Sequence, residues 1–113
     1  MNSSQPTVYV RRAGGTPVIA LAGPFRLGVP FDEFRKEVSA QAVRGGLIIL
    51  DLHGLTSIDA VGVGELVGAY SIARLRGARL HLEGGSPEVR RSLANYRLGS
   101  LFPAGIPATL SHG

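Results

Sequence analysis

Val8, Tyr9 and Val10 form a short β-forming run that passes into Arg11 and Arg12, and Ala13-Gly14-Gly15 supplies a turn. Val18 to Leu21 is a second β-like run, ending at Gly23-Pro24. The two runs read as an opening hairpin whose register stays open, because the second is apolar throughout. Phe31, Phe34, Val38 and Ala42 then recur at spacings of three and four, one face of an amphipathic helix. Pro30 suits its first turn, and Asp32 and Glu33 sit where the helix dipole favours acids. Arg44 falls in the last turn and Gly45-Gly46 stops the helix. Leu47-Ile48-Ile49-Leu50, followed by Asp51, is too short for a helix before a breaker. It reads as a central strand buried on both faces.

The helical period returns from Gly62 to Arg76. Val63, Leu66, Val67 and Tyr70 share a face, Arg74 and Arg76 occupy the last turn, and Gly77 fits a left-handed cap. Gly64 and Gly68 lie inside this helix, each at a cost of up to about 1 kcal/mol relative to alanine. Such a cost points to a backbone that approaches either the sheet or a partner. Arg79 to Glu83 alternates as a strand with one wetter face. Ser86 followed by Pro87 is a helix start, Val89, Leu93 and Tyr96 form the helix face, and Gly99 closes it. Leu101-Phe102-Pro103 can add a short edge strand, and the tail beyond Gly105 is expected to fray. Strands alternating with helices predict an α/β domain. Its sheet is mixed but mostly parallel, of four to five strands. Residues 1–113 read as one domain, with a core over about 8–103 and flexible tails.

Composition narrows the chemistry. The 113 residues are 44% hydrophobic, enough for one core. Without cysteine there is no disulfide, no cysteine-rich metal site and no cysteine nucleophile. No signal peptide precedes the domain and no apolar run is long enough to span a bilayer, so the expected location is the cytoplasm. The formal charge is +4, and Lys36 is the only lysine among 12 Lys+Arg, leaving eleven arginines. With no nucleic-acid motif beside it, the charge reads as a solvated surface. His53, His81 and His112 lack metal-ligand spacing. Gly62-Val63-Gly64 lacks the third glycine of a dinucleotide fingerprint. No metal, cofactor or catalytic residue is expected.

The most informative stretch runs from Ile49 to Gly64: an apolar strand, Asp51-Leu52, a loop through His53 and Gly54 with Thr56, Ser57 and Ile58-Asp59, the small pair Ala60-Val61, then Gly62-Val63-Gly64. This pattern resembles the signature of STAS domains of the anti-sigma-factor-antagonist type. Tyr70, the run from Arg74 to Leu80 and Ser86-Pro87-Glu88-Val89-Arg90 also resemble that family. The likeness implies a STAS-like fold with helices packed mainly on one face of the sheet, and a binding module, not an enzyme, whose partner is an anti-sigma factor that is also a serine kinase. It places partner contacts at Thr56, Ser57, Ile58, Asp59, Ala60, Val61, Gly62 and Gly64. The kinase of that family phosphorylates a Ser or Thr between the Ile-Asp and the Gly, adding nearly two negative charges at a helix N-terminus. Here those positions are Ala60 and Val61, without a hydroxyl. A second departure is Gly23-Pro24-Phe25-Arg26, with a cation where the family carries an acid.

Several residues keep two readings. Asp59 is an N-cap and can also be a docking carboxylate. Asp51 reads as a loop-bracing acceptor, His53 as a satisfied loop histidine, and Thr56 and Ser57 as loop braces. The leading function is a protein-binding regulatory module that docks without the usual phosphorylation. Alternatives are the soluble STAS subunit of a membrane transport ATPase, a small-ligand-binding protein or enzyme using the strand-end crevice, and an arginine-based nucleic-acid binder. Homo-oligomers are compatible with each.

Overall fold

The computed structural model describes residues 7–99. The elements are β1 (Thr7–Ala13), β2 (Thr16–Phe25), α1 (Asp32–Ala42), β3 (Gly46–Ile58), α2 (Ala60–Leu75), β4 (Ala78–Glu83) and α3 (Pro87–Asn95). Four strands lie in the order β1-β2-β3-β4. The β1-β2 hairpin is antiparallel, with Ala13 opposite Thr16, while β2-β3 and β3-β4 are parallel. The expected mixed, mostly parallel sheet is therefore present. The proposed Leu101-Phe102-Pro103 strand, the fraying tail and residues 1–6 lie outside the described residues.

One face of the sheet carries the core. Ile19 and Leu21 of β2, Ile48, Leu50 and Leu52 of β3, and Leu80 and Leu82 of β4 pack with Phe34 and Val38 of α1, Val63, Leu66, Ala69 and Ala73 of α2, and Val89 and Leu93 of α3. The three helices among the described residues thus cover the same face. β3 is central, as expected, but it is not buried on both sides. Leu47 and Ile49 are only half-buried.

Several boundaries differ from the sequence reading, among them the start of α2, at Ala60 and not Gly62. β2 continues through Gly23-Pro24 to Phe25, since Pro24 and Phe25 pair with Ser57 and Ile58. β3 likewise runs on to Ile58, so the expected loop after Asp51 is strand. Register shifts at Ala20/Ala22 and Gly23/Pro24 accompany this pairing. They break the alternation, so that Leu52 and Leu55, three apart, are both buried. Pro30 precedes α1 rather than sitting in its first turn, and Arg44 lies beyond its C-cap, Val43. On α2 the buried face is Gly62, Val63, Leu66, Ala69 and Ala73, so Val67 faces solvent at 42% exposure, Tyr70 is half-buried, and Arg76 is the C-cap.

α3 starts as read: Ser86 Oγ accepts from the Val89 N–H at 3.2 Å, with Pro87 in the first turn. Its end is not Gly99. Arg97 takes φ of 63°, and the N–H groups of Arg97 and Leu98 donate to the carbonyls of Ala94 and Leu93, a Schellman closure. A left-handed conformation costs a residue with a Cβ about 1–2 kcal/mol. Arg97→Gly is therefore expected to stabilise the domain by about 1 kcal/mol, raising the melting temperature by about 4 °C in a thermal scan.

Candidate functional site

The junction of β3 and α2 is assembled from three segments. β3 delivers Thr56, Ser57 and Ile58, Asp59 caps α2, and Ala60 and Val61 are the first helical residues. The loop after β2 brings Arg26 and Leu27 alongside. Asp59 joins the pieces: one carboxylate oxygen accepts the Gly62 N–H at 3.0 Å and the other accepts the Leu27 N–H at 3.0 Å. The N-cap reading of Asp59 is correct, and the carboxylate also ties the β2-α1 loop to α2. The hydrogen bond from Leu27, followed by that from Gly62, holds its pKa below the usual carboxylate value.

Below this surface Phe25 meets Phe31 and Phe34 edge to face, with centroids 4.9 and 5.1 Å apart. Those contacts pin the β2-α1 loop. Gly62 is wedged against the same strand. A Cβ there would stand 1.9 Å from the Phe25 carbonyl oxygen and 2.9 Å from Ile58 Cγ1. The backbone at the junction is thus fixed by close approach on one side and by the Asp59 carboxylate on the other.

The predicted contact residues divide accordingly. Thr56, Asp59, Ala60, Val61 and Gly64 are exposed, Ser57 and Ile58 are half-buried, and Gly62 is buried. Gly62 therefore shapes the site and is not available for contact. Thr56, Ser57 and Ile58 belong to a paired strand, not a loop. Ala60 and Val61 carry no polar atom on their side chains, and Val61 is 40% exposed at a helix N-terminus. Leu27, 69% exposed beside them, escaped sequence reasoning because it belongs to no periodic pattern.

Gly64 and Gly68 do not pack on the sheet, which removes one of their two explanations. A Cβ at either meets nothing within 4 Å. Both line a shallow groove of about 200 Å³ between α1 and α2, walled by Phe34, Val38 and Ile72. Arg35 and Glu65 bridge the helices there through two hydrogen bonds, at 2.9 and 2.5 Å.

Asp51 and Asp59 do not form a carboxylate pair. Asp51 accepts from Arg11 Nη2 at 3.0 Å and from the His53 N–H at 3.0 Å, and its Oδ1 lies 2.6 Å from His53 Nδ1. Burial pushes its pKa up, but the hydrogen bonds from His53 and Arg11 outweigh burial and leave it lowered. Asp51 and His53 are braced as expected, but on a strand. Among the described residues no group of three or more His, Cys, Asp or Glu could hold a metal ion. No helix among them is long and apolar enough to cross a membrane.

The low pKa of Asp59 sets a pH dependence. Its folded value is below the unfolded one, so its stabilisation is complete above the unfolded pKa, near 3.9, and is lost as pH falls through the folded value. Asp59→Ala should lower the urea midpoint at pH 7, and the gap to the parent should close below about pH 4. Equal gaps at pH 7 and at the acid limit would show that the carboxylate charge is unimportant.

The STAS domain model matches residues 8–111. Among solved structures, the anti-sigma factor antagonist SpoIIAA in its unphosphorylated form has 24% identity, a TM-score of 0.68, and coverage of 85% of each chain. An anti-sigma factor antagonist from Mycobacterium paratuberculosis has 18% identity and a TM-score of 0.70, covering 87% of this chain and 83% of its own. The murine Slc26a9 anion transporter has 20% identity and a TM-score of 0.61 over 72% of this chain, but only 14% of the transporter. These likenesses are of fold. No curated protein matches this chain in sequence.

Proposed function

The chain belongs to the STAS domain family, and from that premise we propose that it is a non-catalytic, cytoplasmic docking module of the anti-sigma-factor-antagonist type. Its partner is an anti-sigma factor of the serine-kinase class. The observation that carries this reading is the rigid β3-α2 junction, which presents Ala60, Val61 and Leu27 as exposed apolar groups over a fixed backbone. Helix starts ordinarily display capping and polar side chains. An apolar group held there gains by being covered.

Docking at this surface is not switched by phosphate at residues 60 and 61, which have no acceptor oxygen. The partner therefore engages the module whether or not ATP is present. Tagged full-length chain, used as bait in native lysate, should retain an anti-sigma factor, and ATP should not release it. Recovery of a transport ATPase instead would reassign the module to a transport system. ATP-dependent release with phosphate on Thr56 or Ser57 would restore a phosphoswitch.

A further inference from the structure

The topology collects arginines without carboxylates at one end of the sheet. The β1-β2 turn, the α1-β3 connection and the α2-β4 connection meet at one end, since Ala13 faces Thr16 and Gly46 faces Ala78. A Cβ on Gly45 would stand 3.8 Å from the Gly77 carbonyl oxygen. Arg44 and Arg76 stand on these connections and Arg12, Arg74 and Arg79 on the element ends beside them, and all five are exposed. No Asp or Glu occurs in the segments 12–17, 42–49 and 70–80 that build this end. Arg12 donates to the Gly15 carbonyl at 2.9 Å and Arg74 lies 5.7 Å from the centroid of the Tyr70 ring. None of the five pairs with a carboxylate among the described residues. At the other end, Asp32, Glu33, Asp59, Glu83 and Glu88 stand at helix starts and strand ends.

Two of the most exposed large apolar side chains share the basic end. Leu75 is 87% exposed between Arg74 and Arg76, and Val43 is 66% exposed beside Arg44. Helix dipoles favour cations at helix C-termini, which accounts for Arg74 and in part for Arg76 and Arg44. They explain neither Arg12 and Arg79 on the strands nor two aliphatic tips in water.

We propose that this end is a binding surface for anionic phospholipid, and that the module adsorbs with Arg12, Arg44, Arg74, Arg76 and Arg79 on headgroup phosphates while Leu75 and Val43 dip into the acyl boundary. Guanidinium forks match phosphate oxygens. A bilayer surface supplies negative charge above an apolar layer and conforms to two separated tips without shape complementarity. A nucleic acid would use the arginines but leave the tips in water. The proposal concerns the end of the sheet remote from the β3-α2 junction and stands independently of the partner reading.

Vesicle co-sedimentation of the full chain tests it, with vesicles of phosphatidylcholine alone and vesicles containing phosphatidylglycerol. Binding is expected to be at least about tenfold tighter to the anionic vesicles and to weaken between about 0.05 and about 0.3 M salt. Arg76→Glu with Arg79→Glu should lower it about twentyfold or more. Leu75→Ser should lower it about threefold or more without changing the salt dependence. Arg91→Glu, an exposed charge reversal on α3, should bind within about twofold of the parent, and thermal melts of all variants report folding. No preference for anionic vesicles overturns the proposal. So does binding to polyglutamate or a DNA duplex as tight as to anionic vesicles, with Leu75→Ser unaffected.

Discussion

Replacing Gly62 with alanine lowers the stability of this domain by about 3 kcal/mol or more, although the same change inside an ordinary helix raises it. Gly62 is the third residue of α2, and its missing side chain is where the helix meets the sheet. An added Cβ would stand 1.9 Å from the Phe25 carbonyl oxygen. That oxygen belongs to the backbone of β2, which is paired to β3 at Ile58, so no side-chain rotation relieves the overlap. Either α2 withdraws, opening the core around Val63 and Leu66, or the end of β2 shifts and the three-phenylalanine cluster with it. Set against a typical total of about 5–15 kcal/mol, the loss is large, and the melting temperature should fall by about 10 °C or more. Gly64→Ala and Gly68→Ala provide the contrast. Their Cβ positions are open, so each should gain up to about 1 kcal/mol from helix propensity. Thermal scans of the three variants measure the difference. A Gly62→Ala protein as stable as the parent would mean that α2 does not seat on Phe25.

Val61→Asp and Ala60→Glu should leave the fold intact and cost the partner interaction about 2 kcal/mol or more, a loss of about thirtyfold in affinity. Both side chains are exposed at the start of α2, so little packing is lost. An added acid in a first helical turn is locally favourable by about 0.3–1 kcal/mol. In the bound state the new carboxylate is forced against the covering surface without a counter-charge, at the desolvation penalty of a buried unpaired ion. Arg91→Glu on α3 is the charge control and should bind like the parent. Calorimetry with the captured partner, beside a thermal melt, separates affinity from folding. Two well-folded junction variants that bind at parental strength would place the interface elsewhere.

Local pattern alone announced most of the elements. The three-and-four spacing of Phe31, Phe34, Val38 and Ala42 gave α1 its buried face, Ser86-Pro87 located the start of α3, and Asp59 was readable as a cap because capping uses atoms three residues apart. The Asp59-Ala60-Val61-Gly62 stretch also marked the candidate site before any fold was known. What escaped depended on distant chain segments. The extension of β3 to Ile58 comes from pairing with β2 across register shifts, which erase the alternation that a strand normally shows. Val67 faces solvent because the sheet selects Leu66 and Ala69, and two adjacent apolar stripes look alike along the chain.

The sequence by itself determined the buried face of α1, the N-caps Asp59 and Ser86, the absence of a hydroxyl at positions 60 and 61, and the surplus of arginine. Each is a property of a residue or of neighbours within one or two turns. Only the tertiary structure decided that Gly62 is forced by a carbonyl 37 positions earlier in the chain, while Gly64 and Gly68 stand in the open. It also joined Leu27 to Asp59 and gathered five arginines from strand ends, a helix end and two connections onto one acid-free end. The physical reason is common to all of these. Close approach and electrostatic potential depend on distance in space, and parallel strands joined through helices bring every second connection to the same end of the sheet.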